Sequence, residues 1–237
     1  MTLRRLLAVA LVISAALACA RLGFWQLSRL AEKRALNATL RAALAAPPVL
    51  AWPGASTLEE LRKRQVELRG RFDSRYQVLL RGRPRDGEPG VIVVTPFLLG
   101  SESTAVMVER GWLAAEDAAT VPAEQIPEDS SLTVVGLAED FPSGAPIPPL
   151  REMGTPMRNV WSAPRLVLDS LRARIPFRIA PYFVRALPGH GAPASPTREV
   201  PRLHDESVHM GYALQWFAIA AMFPAGAWLL ARRRRRR

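Results

Sequence analysis

The chain has 237 residues, of which 49% are hydrophobic, and this length accommodates one ordinary domain together with membrane segments. Its formal net charge is +11, but six of the arginines form the run at residues 232–237 beside an apolar segment. Such a run is typical of a cytoplasmic membrane flank and argues against nucleic-acid binding. The single cysteine, Cys19, excludes a disulfide framework, a CxxC redox pair and a Cu(I) carrier with paired thiolates.

The first apolar segment predicts a transmembrane helix over residues 6–25, after a short cytoplasmic N-terminus at residues 1–5. No charge occurs from residue 6 to residue 20, and two arginines precede the segment. A cleaved signal peptide would share these features, and residues 18–20 fit its cleavage site. The helical pattern continues through Trp25 with no proline or turn cluster, which favours a retained anchor with Trp25 at the membrane interface.

Residues 26–206 are predicted to form one exported domain of the α+β class. Helices are predicted at residues 25–44, at 56–63 with Ser56 or Thr57 as the N-cap, and at 164–174. Alternating hydrophobicity between turn residues predicts strands at 65–72, 76–80, 91–98, 105–113, 132–138 and 182–187.

The turn residues between the strands indicate how the strands are connected. Asp73 and Ser74 separate the first two strands by a hairpin spacing, and short strands of this kind predict an antiparallel sheet. The five prolines in residues 141–156 predict a long loop. Residues 188–201 predict a linker to the second span.

The second apolar segment predicts a transmembrane helix over residues 207–231. Its uncharged part, 209–231, spans about 34 Å against a hydrocarbon core of about 30 Å. Pro224 predicts a kink, which bilayer helices tolerate. The arginine run at 232–237 then holds the carboxyl end in the cytoplasm. With two spans, both termini are predicted to be cytoplasmic and the domain extracytoplasmic.

The predicted domain lacks a recognisable catalytic pattern. Its two histidines, His190 and His204, lie in the linker, and no Ser/His/Asp or HExxH spacing is visible. Glu116 and Asp117 are adjacent in a loop and are assigned to the surface. Met153 and Met157 are assigned to packing rather than to metal binding. The sequence therefore predicts a protein that is not an enzyme.

A polar constellation lies at the outer end of the second span. At 100° per residue, His209, Tyr212 and Trp216 share one helix face with two alanines. An ionisable residue at such a position is a functional candidate, and a neutral histidine nitrogen can ligate haem iron beside packed aromatic rings. An ordinary aromatic belt shows the same pattern, and periodicity alone favours the belt.

Six segments of the chain, in their order and placement, carry a resemblance to a known family. They are LGFWQLSRLAEKRAL at 22–36, VELRGRF at 66–72, GVIVVTPF at 90–97, ERGWL at 109–113, PYFV at 181–184 and HMGYALQWF at 209–217. Together they resemble the surfeit locus 1 family of cytochrome c oxidase assembly proteins, and the resemblance covers nearly the whole chain.

The resemblance implies a two-span protein of the plasma (inner) membrane with an extracytoplasmic domain. It implies a role in inserting haem a into oxidase subunit I or in stabilising that subunit, with other oxidase assembly factors as further partners. The histidine proposed as a haem a ligand in the family falls on His209, which favours haem iron as its metal. Tyr212, Trp216 and Trp25 are then expected to contact the cofactor, with Trp25 closing the site opposite Trp216.

The alternative is a membrane-anchored scaffold whose exported domain binds partner subunits without binding haem. Arg110, Gly111 and Trp112 would be its docking surface, or else a buried strand with a turn glycine. In the first-span motif, Arg29 and Glu32 are expected to pair across one helical turn.

Overall fold

The computed structural model describes residues 3–51, 58–100, 104–143, 151–152, 159–189 and 191–235. The chain divides into two compact units, one of Met1–Arg41 with Arg202–Arg237 and one of Ala42–Pro201. Several residues of the sequence predictions lie outside the described part: Ser56, Thr57, Met153, Met157, His190, Arg236 and Arg237.

Four α-helices are present in the described residues. They are α1 (Leu3–Ala45), α2 (Leu58–Leu61), α3 (Leu168–Arg172) and α4 (Ser207–Arg235). The helix predicted at 25–44 is confirmed as a continuation of α1, which ends just before the pair Pro47 and Pro48. The helix predicted at 164–174 is shorter in the structure, because Val167 at its N-cap is extended and Ala173 ends it.

Two of these helices are long and apolar enough to cross a membrane. The qualifying segments are Leu6–Ala45 and Ser207–Arg233, and only 6% of the most apolar window of each is buried. Their apolar side chains therefore face outward rather than into a protein core. The second helix continues through Pro224.

Nine strands occur in the described residues. They are β1 (Val49–Leu50), β2 (Gln65–Phe72), β3 (Tyr76–Leu80), β4 (Gly90–Leu99), β5 (Thr104–Ala114), β6 (Thr133–Asp140), β7 (Arg151–Glu152), β8 (Asn159–Ala163) and β9 (Arg178–Ala186). All six predicted strands are confirmed, whereas β1, β7 and β8 were not predicted. The loop predicted at 141–156 is wrong at β7, which pairs with β8.

The strands form one sheet in the order β1-β2-β6-β9-β5-β4-β3-β8-β7. The predicted α+β class is confirmed, but the prediction of an antiparallel sheet is wrong in part. The pairs β1–β2, β3–β8 and β5–β9 are parallel, so the sheet is mixed. Alternation along a strand shows which face is buried but not which strand lies beside it, and parallel partners are joined by long connections.

The predicted hairpin between the first two strands is also wrong. Residues 70–72 of β2 pair with 97–99 of β4, and residues 78–80 of β3 pair with 92–94 of the same strand. Between β2 and β3, the Asp73 carboxylate accepts hydrogen bonds from the backbone N–H of Arg75 at 3.1 Å and from its guanidinium at 2.7 and 2.9 Å. This aspartate turn redirects the chain without folding β3 back onto β2.

The extra β2–β4 pairing closes a ring of five strands, β2-β6-β9-β5-β4. Alternate residues of these strands fill the interior of the ring, as in other small barrels. They include Val66, Leu68, Phe97, Leu99, Val106, Val108, Val134, Ala138, Ala180, Tyr182, Val184 and Ala186. A second cluster packs α3 against β3, β8 and β9, and a third packs the 3₁₀ helix Ala123–Gln125 and its neighbours against β3 and β4.

Candidate functional site

The helical unit pairs α1 with α4 along a seam of close contacts. A Cβ atom on Gly23 would lie 2.6 Å from Cε1 of Phe217, so a larger residue here would require the Phe217 ring to shift. The rings of Phe24 and Phe217 meet edge to face with centroids 5.2 Å apart. Leu30 and Ala213 are almost fully buried. The seam residues of α1 recur at helical spacing and define one face of that helix.

His209 lies on this seam and is bound by a residue of α1. Its Nδ1 atom is 2.8 Å from Oε1 of Gln26, and the imidazole is half-buried. A carbonyl oxygen only accepts hydrogen bonds, so Nδ1 carries a proton, and in the neutral ring Nε2 then has the lone pair. This is the protonation state in which a histidine binds a metal.

The donor chemistry at His209 fits haem iron. Among the described residues, no group of three or more His, Cys, Asp or Glu side chains could hold a metal ion. His209 offers a single nitrogen, which suits an iron whose other ligands come from a macrocycle. The residues present therefore fit a haem that His209 would hold through this one nitrogen.

The predicted aromatic partners of His209 are placed less uniformly. Trp216 is partly buried, whereas Trp25 and Tyr212 are exposed, with 50% of each residue accessible to solvent. The indole ring of Trp25 carries the guanidinium of Arg29 at 5.6 Å from its centroid. In the described part of the chain, the ring contact between α1 and α4 joins two phenylalanines, and a facing pair of Trp25 and Trp216 stays a prediction.

The expected pair of Arg29 and Glu32 is present, with Nη1 and Oε2 2.7 Å apart. Both side chains are about half exposed, so the pair contributes at most about 1 kcal/mol.

Asn37 fixes the segment that enters α4. Its amide group donates to the backbone oxygen of His204 at 2.9 Å and to Oε1 of Glu206 at 2.7 Å, and it accepts from the backbone N–H of His204 at 2.8 Å. Only 1% of Asn37 is exposed. Its hydrogen bond, together with Arg34, lowers the pKa of Glu206. The start of the helix that carries His209 is thereby tied to α1.

Sequence reasoning missed both Gln26 and Asn37. The signal was available in the stripe of residues 23, 26, 30 and 37, which places two amides on the face of α1 that also carries Gly23 and Leu30. Polar residues on the buried face of an apolar helix indicate partners on the helix opposite.

In the sheet unit, the segment Arg110 to Trp112 is structural. Arg110 is fully buried, so its side chain is not available to a partner. Gly111 has φ of +136°, and a Cβ there would lie 2.5 Å from the backbone oxygen of Thr197. Thr197 exchanges two backbone hydrogen bonds of 2.8 Å with Trp112. The interpretation as a buried strand with a required glycine therefore describes this segment.

Arg110 belongs to a buried charge network. Its Nη2 donates to the oxygen of Pro127 at 2.6 Å, and its Nε is 3.8 Å from Asp129. Arg198 donates to the same carboxylate at 2.7 Å and to the backbone oxygen of Arg110 at 3.0 Å. Burial lowers the pKa of Arg110 to about 10, because the opposing pull of Asp129 does not fully offset desolvation. The network fastens the linker to β5.

A second charged cluster lies on β5, β6 and β9. Arg185 pairs with Glu109 and with Glu139, each at 3.2 Å. Burial raises the pKa of both carboxylates despite this arginine.

These features define a class of protein with two long apolar helices, which meet at a histidine, and a small mixed sheet that closes into a ring. The SURF1 family model matches residues 13–221. The chain therefore belongs to the SURF1 family, which confirms the resemblance carried by the six sequence segments.

Individual relatives support the same assignment. A SURF1-like protein of Rickettsia felis is 36% identical over 95 residues, 39% of this chain and 40% of the relative. The cytochrome oxidase assembly protein SHY1 of Saccharomyces cerevisiae is 31% identical over 123 residues, 49% of this chain and 31% of the relative. Surfeit locus protein 1 of Rattus norvegicus is 25% identical over 214 residues, 84% of this chain and 68% of the relative. The chain thus spans less than half of the first two relatives.

Proposed function

We propose that this protein is an assembly factor for haem-copper cytochrome c oxidase, which assists the insertion of haem a into subunit I or stabilises that subunit. Membership of the SURF1 family supports this role, and the yeast relative is named a cytochrome oxidase assembly protein. The protein acts by holding and presenting its cargo with other assembly factors rather than by catalysing a reaction.

The proposed location is the plasma (inner) membrane, with the sheet unit outside the cytoplasm. The two apolar helices support two spans, and the arginine run after the second span supports cytoplasmic termini. In this topology His209 would lie at the outer end of α4, near the outer surface of the membrane, where an amphipathic cargo could reach it.

One observation carries the proposal of haem binding. The hydrogen bond of 2.8 Å between Nδ1 of His209 and Gln26 leaves Nε2 free to bind iron. Haem a is the proposed cargo, and when bound it would supply the iron to which His209 binds. Tyr212, Trp216 and Trp25 are the aromatic residues proposed to contact the macrocycle.

The test compares haem content in the purified full-length protein from cells that make haem a. We expect His209→Ala to lose most of the haem absorption, while the matched control His204→Ala keeps it. The control is suitable because His204 is exposed and bonds Asn37 through its backbone. Equal haem content in the parent and both variants would refute haem ligation by His209.

The second candidate is a scaffold that binds partner subunits without haem. The residue that tests it is Leu132, which lies beside β6 and is 70% exposed, so that it is accessible to a partner. If the scaffold is correct, Leu132→Asp lowers oxidase activity in cells, and His209→Ala leaves that activity unchanged. If haem presentation is correct, His209→Ala lowers oxidase activity as well as haem content.

A further inference from the structure

We propose that Gln26 is a positioning residue that orients His209 and makes it a moderate haem ligand, so that the cargo is bound and yet remains releasable. The inference rests on the proposed haem function and adds a residue and a role to it. It starts from the contact between Oε1 of Gln26 and Nδ1 of His209 at 2.8 Å.

The chemistry of the partner sets the strength of the ligand. A metal-bound histidine usually donates its other N–H to a carboxylate, a backbone carbonyl or water, and this partner fixes the ring orientation and its basicity. A carboxylate draws the proton strongly and makes the imidazole a stronger donor to iron. The neutral amide of Gln26 accepts the same bond without a negative charge, so His209 stays less basic.

The seam fixes Gln26 in place. Gly23 lies one turn before it and contacts Phe217, and Leu30 lies one turn after it and is 3% exposed. Because α1 contacts Phe217 of α4 before Gln26 and binds the segment entering α4 through Asn37 after it, the amide is presented to His209 from a packed helix face. The imidazole therefore has one orientation before any haem arrives.

On release of haem, Nε2 of His209 would regain the electron pair of its bond to iron, while Gln26 would continue to accept the proton on Nδ1. His209 would then neither gain nor lose a proton, and no charge would be left in the apolar seam. A neutral amide partner suits this exchange, whereas a carboxylate would stabilise the iron-bound state and retain the cargo.

The experiment compares the full-length protein with Gln26→Leu and Gln26→Glu, loaded with haem a. Two quantities are measured: the rate of haem transfer to a haem-free globin acceptor and the reduction potential of the bound haem. Changes to such partners alter metal affinity by roughly 10- to 100-fold. We expect transfer from Gln26→Leu to be at least about 10-fold faster, and transfer from Gln26→Glu to be slower by a similar factor with a lower potential.

Gln215→Glu is the matched control. Gln215 is an exposed glutamine of α4, and its replacement by glutamate adds the same charge as Gln26→Glu in the same helical unit. It should leave both quantities at the parent values. A Gln26→Glu shift that Gln215→Glu reproduces would show a general charge effect and overturn the inference.

A measurement on the haem-free protein does not depend on loading. With ¹⁵N-labelled histidine, the parent should show His209 as the tautomer protonated at Nδ1, and Gln26→Leu should show a mixture. His209→Ala identifies the resonances.

The outcomes separate the two proposals. Haem that binds through His209 but transfers at the parent rate in both Gln26 variants overturns the inference alone. A parent protein that binds no haem overturns the proposed function together with the inference.

Discussion

Replacement of Asp129 by asparagine is expected to destabilise the protein by about 3–5 kcal/mol, because it removes the carboxylate between two buried guanidinium groups. The Asp129 side chain is 1% exposed, and those of Arg110 and Arg198 are 0% and 5% exposed. Asparagine keeps an oxygen for the backbone N–H of Ser131, which Asp129 binds at 2.9 Å. The substitution therefore changes the charge and preserves the turn.

The magnitude follows from burial of the network and from the close contact of 2.7 Å between Arg198 and Asp129. Asp169 pairs with Arg172 at the same 3.8 Å that separates Asp129 from Arg110, but these side chains are 79% and 50% exposed. Asp169→Asn is therefore the matched control and should cost less than about 1 kcal/mol. At an m-value of about 2 kcal/mol/M, 4 kcal/mol corresponds to a urea midpoint lower by about 2 M.

The assay is urea unfolding of the full chain in detergent, followed by the fluorescence of its six tryptophans, of which Trp112 and Trp161 lie in described strands of the sheet unit. The parent, Asp129→Asn and Asp169→Asn are compared at one pH and one ionic strength. If the two variants shift the midpoint equally, desolvation does not govern this network and the reasoning is refuted.

The remaining predictions concern two carboxylates and the helix seam. Burial raises the pKa of Glu109, so its contribution to the free energy of unfolding is complete below about pH 4.3 and is lost as the pH rises through the raised pKa. In urea titrations over that range, the stability of Glu109→Gln should therefore rise relative to that of the parent. The Asp73 carboxylate has a lowered pKa from its arginine hydrogen bond, so Asp73→Asn should be less stable than the parent above about pH 4, with the gap closing as the pH falls. Gly23→Ala should lower the melting temperature in detergent, whereas Gly211→Ala, with open space around it, should leave it unchanged or raise it. Asn37→Leu should cost about 2–3 kcal/mol in urea titrations, because it removes three hydrogen bonds.

The strands that the sequence predicts well are those with one covered face or a clear stop. β2 was predicted to the residue, since its alternation ends at the Asp73 turn. β8 was missed because residues 160–163 are all buried, which leaves no alternation to detect. Its partner β3 lies about 80 residues earlier and runs parallel to it, and no local pattern encodes such a pairing.

The candidate site was predictable only in part for a similar reason. His209 is conspicuous as an ionisable residue in an apolar segment, and its position alone made it a candidate. The role of Gln26 depends on how α1 pairs with α4, which hydropathy does not specify. For Arg110 the sequence favours the surface, because an arginine in a strand is usually exposed, whereas the structure buries it. Its burial depends on Asp129 and Arg198, which lie about 20 and 90 residues further along the chain.

The linker that is fastened to β5 sets the order in which a newly made chain can finish folding. Synthesis proceeds from the amino end, so β5 emerges long before β9, and Arg110 emerges well before Arg198. Until residue 198 is available, Arg110 lacks the guanidinium that shares Asp129 with it, and the edge at Gly111 is uncovered. α4 begins only a few residues later, at Ser207. The sheet unit and the helix seam are therefore completed almost together, once the segment from Arg198 through α4 has been made.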